Sequence, residues 1–241
     1  MTAAWKIQTE AWLLRDETPQ VLRSSDLHAI ACNQAGTPPS GRTFDRWLHD
    51  MAQANKLVEV IKGVYLNRMR HPNVSPAAAA QHIRARSVVS LAWVLEQAGV
   101  TNNFGDVITC VIPTDPSWTN PQIGTRTTST ASFRFFAMPA RLVIPDGSAK
   151  ELDDFRDHTF DYPRATPEKA LLDWIYLGAS PRSRMTRPPM DLDLTLLNRP
   201  RLRRLSRRMD IEVAFKAWQE EHAAYQTDPE VQENRSLRFN L

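Results

Sequence analysis

Ser40-Gly-Arg-Thr-Phe-Asp-Arg-Trp-Leu-His-Asp-Met51 is followed closely by Leu57-Val-Glu-Val-Ile-Lys-Gly-Val-Tyr-Leu66. In the first run Phe44, Trp47, Leu48 and Met51 stand at i, i+3, i+4 and i+7, which predicts a helix with one apolar face. Ser40 is placed to cap it, because a serine hydroxyl there can accept a hydrogen bond from an unpaired N–H of the first turn. The other side of this helix offers Arg42, Thr43, Arg46, His49 and Gln53. The second run is two short β-prone stretches around Lys62-Gly63, which reads as a hairpin tip. Tyr65 is expected to pack the hairpin against the helix.

Upstream, Ala4 to Leu14 is read as a helix. Ser25-Asp26 reads as the cap of another, over Leu27, Ile30 and Ala31, with Gly36 ending it. Thr37 to Gly41 is a turn. Three helices followed by a small hairpin is the plan of a winged helix-turn-helix, here assigned to residues 1–72. In that plan the third helix enters the major groove of double-stranded DNA and the hairpin lies along the backbone. A helix fits the width of that groove, and arginine can pair with guanine edges there. Lys62 would meet phosphate, where counterion release gives affinity without sequence choice. The candidate DNA-binding residues are therefore Ser40, Arg42, Thr43, Arg46, His49 and Lys62. His71-Pro-Asn-Val-Ser-Pro76 reads as a linker.

Residues 73–241 are expected to form a second, mixed α/β domain with a small sheet, making the fold class α+β. Ser75-Pro76 starts an alanine-rich helix over Ala77 to Arg86. Ser87 begins a second helix with Val88, Leu91, Ala92 and Leu95 buried and Gly99 as its stop. Val107 to Ile112 is a strand ended by Pro113. Thr127 to Ala137 is β-rich, with Phe133, Phe135 and Phe136 anchoring the sheet. Arg141 to Ile144 is a further strand, ended by a turn at Pro145-Asp-Gly147. Thr166 caps a helix that Pro167 opens and Gly178 stops, with Glu168 at the positive end of its dipole. A helical tail covers Pro200 to about Ala224.

Several segments, taken in order, resemble the AbiEi family of antitoxins from bacterial abortive-infection (type IV) toxin–antitoxin systems. Lys62-Gly-Val-Tyr65 is similar to the family's wing exit. Ser87-Val-Val-Ser-Leu-Ala-Trp-Val-Leu-Glu-Gln-Ala-Gly99 is similar to its SL–AL–G helix, and Ala165-Thr-Pro-Glu-Lys-Ala-Leu-Leu-Asp173 to its A-x-P-E-[RK]-A-L-L-D segment. The resemblance spans roughly residues 5 to 180. It implies an autorepressor that binds inverted repeats upstream of its own operon. It also implies a C-terminal domain that counteracts a nucleotidyltransferase-type toxin without requiring a stable complex. The alternative is a winged-helix regulator whose second domain senses a small ligand. Pro167, Glu168, Leu171 and Leu172 read as helix start and core rather than chemistry, and Asp173 as a partner for a backbone group.

Charge is unevenly spread. The 241 residues carry 30 Lys plus Arg against 27 Asp plus Glu, a net charge of +3. Six of the ten residues from 199 to 208 are arginine: Arg199, Arg201, Arg203, Arg204, Arg207 and Arg208. Leu202, Leu205 and Met209 fall on one side, so this is an amphipathic helix with a basic face. That face suits nucleic-acid phosphate, or pairs with the acidic stretch from Glu151 to Asp161. Enzyme motifs are missing: no P-loop, G-x-G-x-x-G, G-x-S-x-G or H-E-x-x-H occurs. Gly147-Ser148 and Asp191-Leu-Asp193 are too far apart for a nucleotidyltransferase, whose paired carboxylates hold metal ions near phosphates. Asp153, Asp154, Asp157, His158 and Asp161 read as an exposed acidic turn rather than a metal site. No catalytic residue, metal or cofactor is expected. Two lone cysteines, Cys32 and Cys110, predict a reduced cytoplasmic setting. No signal peptide and no membrane span are read, because no run approaches eighteen apolar residues.

Overall fold

The apolar stripe at residues 44–51 forms one wall of the first core. A computed structural model describes residues 3–34, 38–102, 105–115, 123–144, 152–181, 183 and 185–231. It is a mixed α+β fold with small sheets. The chain divides into two units, one of residues 1–85 with 125–133, the other of 86–124 with 134–241.

In the first unit the order is α1 (Ala4–Leu13), β1 (Val21–Arg23), α2 (Ser24–Gln34), α3 (Gly41–Gln53), β2 (Leu57–Ile61) and β3 (Val64–Asn67). The strands form an antiparallel sheet in the order β1-β3-β2. Trp5, Leu13, Leu22, Leu27, Phe44, Trp47, Leu48, Met51, Leu57 and Tyr65 share one buried cluster. Trp5 meets Trp47 edge-on at 5.6 Å, and Phe44 lies 5.5 Å from Trp47. Aromatic pairs of this kind add about 0.5–1.5 kcal/mol each beyond their burial. The buried Asn67 side chain donates to Leu13 O at 2.8 Å, tying the end of α1 to β3.

Gly63 closes the hairpin with φ +78°. Its N–H donates to Glu59 Oε1 at 3.0 Å, and its carbonyl accepts from Ser24 N–H at 2.9 Å. That positive φ favours glycine, and a Cβ there would also stand a tight 3.0 Å from Ser24 Oγ. The strand β1 was not expected, and α2 begins at Ser24 directly after it rather than behind a Ser25-Asp26 cap. The Gly36 stop and part of the turn before α3 lie outside the described residues.

The first unit continues past residue 72, where the linker was expected, to Ala85. Ser75 accepts from Ala77 N–H at 3.2 Å and starts a 3-10 turn, Pro76–Ala79, that runs into α4 (Ala80–Ile83). Val74, Ala77, Ala78, Ala79, Ala80 and Ile83 are buried, so this alanine run packs into the first unit instead of opening the second domain as expected. The helix stops short of the expected Arg86, whose φ is +63°.

The remaining elements are β4 (Val88–Val89), α5 (Ala92–Gln97), β5 (Val107–Thr114), β6 (Gly124–Thr127), β7 (Ser132–Pro139), α6 (Ala140–Val143), α7 (Pro167–Ala179), α8 (Arg199–Arg208) and α9 (Glu212–Thr227). The second sheet has the order β4-β5-β7-β6. The expected helix from Ser87 is corrected: Val88 and Val89 pair antiparallel with Val111 and Cys110, and Leu91 at φ +63° separates that strand from α5. Pro113 does not end β5. Ser90 N–H donates to Thr109 O, so Thr109, Val111 and Pro113 turn their backbone groups towards β4, which has ended by then. A missing N–H there costs no ladder bond. The expected strand Arg141–Ile144 is instead the helical turn α6; its Pro145–Gly147 turn lies outside the described residues.

Helix α7 is buried almost all round and packs against α5, α8 and α9. Thr166 caps it, accepting from Lys169 N–H at 3.3 Å. Gly178 does not stop it. A Cβ at that position would lie 2.9 Å from Arg187 Cα, so glycine lets the chain pass against the helix. Lys169 and Asp173 are both buried and form an i,i+4 ion pair. Ser90 Oγ donates to Asp173 Oδ2 at 2.7 Å, so Asp173 bonds side chains rather than the expected backbone group. Burial pushes the Lys169 ammonium below its ordinary pKa and the Asp173 carboxyl above its own, against their mutual attraction. Among the described residues no helix is long and apolar enough to cross a membrane.

Removing one member of a buried pair leaves the other uncompensated. Lys169→Met should therefore destabilise the chain by about 3–5 kcal/mol. Lys169→Met with Asp173→Leu should recover most of that loss. Urea denaturation of the two variants measures both values.

Candidate nucleic-acid interface

Helical geometry sorts the residues of α3 into two faces. Phe44, Trp47, Leu48 and Met51 are buried, and Arg42, Thr43, Arg46, His49 and Gln53 are exposed. Arg42, Arg46, His49 and Gln53 fall on one narrow arc opposite the apolar stripe, flanked by Asp45 on one side and Asp50 on the other. Ser40 caps the helix as expected: its Oγ accepts from Thr43 N–H at 3.4 Å and lies 2.9 Å from Thr43 Oγ1. A Cβ on Gly41 would meet nothing within 4 Å, so the helix N-terminus is open to an approaching group. Lys62 is exposed at the hairpin tip.

Several cations of this unit are paired internally. Lys56 is held by Glu10 at 3.0 Å, Arg70 by Asp16, and Arg15 by Glu17 at 3.8 Å. Arg42, Arg46 and Lys62 make no ion pair among the described residues. Glu59, the carboxylate nearest the tip in sequence, accepts from Gly63 N–H and from Tyr65 Oη at 3.1 Å. Burial, reinforced by Glu59, pushes the Tyr65 hydroxyl up to about 12, so it stays a neutral donor. Ser40, Arg42, Thr43, Arg46 and His49 therefore share one helix, with Lys62 on the hairpin that follows it.

The arginines of α8 divide differently. Leu202, Leu205 and Met209 are buried, as their spacing requires. Arg201 reaches Asp154 at 3.1 Å and Glu168 at 3.3 Å. Arg204 binds Asp154 through two nitrogens, at 2.9 and 3.0 Å. Arg207 pairs with Glu212 at 3.0 Å, and Arg208 lies over the Phe155 ring at 5.2 Å. Glu168 also accepts from Asn198 N–H at 2.8 Å, so it anchors the start of α8 rather than serving a helix dipole alone. The six-arginine face expected from sequence is thus largely engaged inside the unit. Arg199 and Arg203 remain exposed and line a cleft of about 1240 Å³ together with Lys216, Asp191, Asp193 and His222.

The acidic residues are equally engaged. Asp153 pairs with His158 at 3.3 Å, and Asp157 accepts from Thr159 Oγ1 at 2.6 Å and faces Arg164 at 3.9 Å. Among the described residues no group of three or more His, Cys, Asp or Glu is arranged to hold a metal ion. Asp193 accepts from Thr195 N–H at 2.9 Å and caps the turn Leu194–Leu196. Gly147-Ser148 lies outside the described residues. The Ser90–Asp173–Lys169 group escaped the sequence reading. Its signal was a Lys and an Asp four residues apart on a largely apolar helix.

Hydrogen bonds from the Arg204 guanidinium hold the Asp154 carboxyl below its ordinary pKa of 3.8, with Arg201 adding to the effect. A depressed carboxylate stabilises the fold above its unfolded pKa and loses that contribution as pH falls through the folded value. Asp154→Asn should cost about 1 kcal/mol near neutral pH. The difference from the unmodified chain should shrink as the pH falls below 3.8. Urea midpoints measured across pH 2–7 (about one unit apart) read this directly.

No family model matches the chain, and no curated protein matches it. Among solved structures it is similar to that of the RV2827C protein from Mycobacterium tuberculosis, with 16% identity and a TM-score of 0.49, over 86% of this chain and 72% of that one.

Proposed function

We propose that the first unit is a winged helix-turn-helix that binds double-stranded DNA, and that the chain is an antitoxin that represses its own operon. The observation that carries the DNA reading is the face of α3. Arg42 and Arg46 stand on it without internal ion pairs among the described residues, beside Lys62 on the next hairpin. The order α1-β1-α2-α3-β2-β3, with β1 and β2 flanking β3, supports the same reading. In this mechanism α3 enters the major groove. Arg42 and Arg46 reach guanine O6 and N7, with Thr43 and His49 beside them. Ser40 and the open N-terminus of α3 approach a phosphate, and Lys62 neutralises another. One such unit covers a half-site, so two chains on an inverted repeat supply the specificity.

The antitoxin half of the reading rests on the resemblance carried by Lys62–Tyr65, Ser87–Gly99 and Ala165–Asp173. Counteraction of a nucleotidyltransferase-type toxin is assigned to the second domain, in a reduced cytoplasmic setting. The cleft beside Arg199 and Arg203 favours a second reading, a regulator whose second unit senses a small ligand. The neighbouring reading frame separates the two: a nucleotidyltransferase gene whose toxicity co-expression of this chain relieves supports the antitoxin, and the absence of such a gene, or unrelieved toxicity, supports the sensor.

Arg42→Ala and Arg46→Ala should each weaken binding to the chain's own promoter by about 1–3 kcal/mol. Lys62→Ala should weaken promoter and unrelated duplex alike. A gel-shift titration in which both arginine variants keep full promoter affinity would remove α3 from the interface.

A further inference from the structure

We propose that the tip of the β6–β7 hairpin is a further strip of the DNA interface, with Arg126 as its phosphate contact. The inference rests on the reading of α3 and Lys62 as DNA-facing. The tip belongs to the first unit, which includes residues 125–133. Its attachment is specific. Ser129 N–H donates to Val60 O at 3.3 Å, and Ser129 Oγ donates to Val60 O at 3.1 Å and to Glu59 O. Those carbonyls belong to β2, an outer strand of its sheet. Val60 and Lys62 are two residues apart, so Ser129 stands within about 10 Å of the wing lysine.

The composition of the tip suits a phosphate backbone. Residues 124–132 read Gly-Thr-Arg-Thr-Thr-Ser-Thr-Ala-Ser, with six hydroxyl side chains, one arginine and no carboxylate. All four residues of β6, Arg126 among them, are exposed. Arginine and hydroxyl side chains are the groups that most often meet DNA phosphates. The turn is also held in shape without using Arg126. Thr128 Oγ1 donates to Ala131 O at 2.7 Å and accepts from Ala131 N–H at 3.1 Å and Thr130 N–H at 3.3 Å. The one carboxylate on the adjoining part of β2, Glu59, already accepts from Gly63 and Tyr65. Arg126 lies three residues before Ser129 on this turn, so an exposed cation on a segment anchored to β2 would extend the positive strip from Lys62 along the backbone of the same duplex.

The test uses the full chain and two labelled duplexes, one from its own promoter and one of unrelated sequence, titrated at several salt concentrations. Arg126→Ala should weaken both by about three- to tenfold near 0.1 M salt. It should also reduce the slope of log affinity against log salt by about 0.9, the value for one lost phosphate contact. Arg126→Lys should restore most of the affinity, and Arg126→Glu should weaken it further. Thermal melts of the three variants should match the unmodified chain, because the side chain is exposed. If Arg126→Ala and Arg126→Glu keep full affinity and slope while Arg42→Ala weakens binding, the tip lies outside the interface and the α3 reading stands alone. Failure of Arg126→Lys to restore binding also overturns the proposal, since the loss would not be one of charge. If the unmodified chain binds neither duplex, the DNA reading itself falls and takes this inference with it.

Discussion

Burial of Phe44, Trp47, Leu48 and Met51 fixes the rotation of α3, and the rest of the first unit is arranged around that rotation. A helix turned so that these four face Trp5, Leu13 and Leu27 has no choice about where Arg42, Arg46 and His49 point. Turning it by a third would expose two aromatic rings and bury a guanidinium, each at a cost of several kcal/mol. The Ser40 cap sets where the helix starts, and Gly63 sets where the chain reverses after it. The positions from which the outward side chains of α3 leave the helix are therefore set by the core behind it.

The second unit solves a different problem. Helix α7 is packed on nearly every side, so its charged residues Glu168, Lys169 and Asp173 are buried. Each is matched internally: Lys169 with Asp173, Asp173 with Ser90, and Glu168 with Asn198 and Arg201. Such pairs add little net stability over apolar residues of similar size, but they penalise any packing that separates them. Ser90 follows β4, so its bond to Asp173 fixes how the short strand meets the central helix. Glu168 does the same for the start of α8.

The parts visible in sequence are those set by neighbours within one or two turns. The Ser40, Ser75 and Thr166 caps, the α3 stripe and the Lys62-Gly63 tip all depend on residues at most seven apart. Contacts between distant segments were not visible. Strand β1 is three residues long and exists because Val21–Arg23 meets Val64–Leu66. Val88, Leu91, Ala92 and Leu95 satisfy a helical spacing, yet pairing of Val88 and Val89 with Val111 and Cys110 wins. Arg141 to Ile144 is β-prone in composition and becomes a helical turn after Pro139. The partners of Arg201, Asp154 and Glu168, lie 47 and 33 residues away, so no local pattern announces them.

The arginines show that density of charge is a poor guide to which cations remain unpaired in the fold. Helix α8 carries six arginines in ten residues, and α3 carries two in thirteen. Yet Arg204 already makes two hydrogen bonds to Asp154, and Arg201 bridges Asp154 and Glu168. A phosphate approaching either would compete with a carboxylate already in place, and would meet the negative charge of that carboxylate as well. Arg42 and Arg46 present no such competition among the described residues. For them a phosphate or a guanine edge replaces only water and mobile counterions, and release of those ions favours binding. Internal neutralisation by Asp154 ties Arg201 and Arg204 into the fold, while Arg199 and Arg203 of the same run stay exposed. Arg42 and Arg46, flanked by Asp45 and Asp50 but in no ion pair among the described residues, keep their charge available to an outside group.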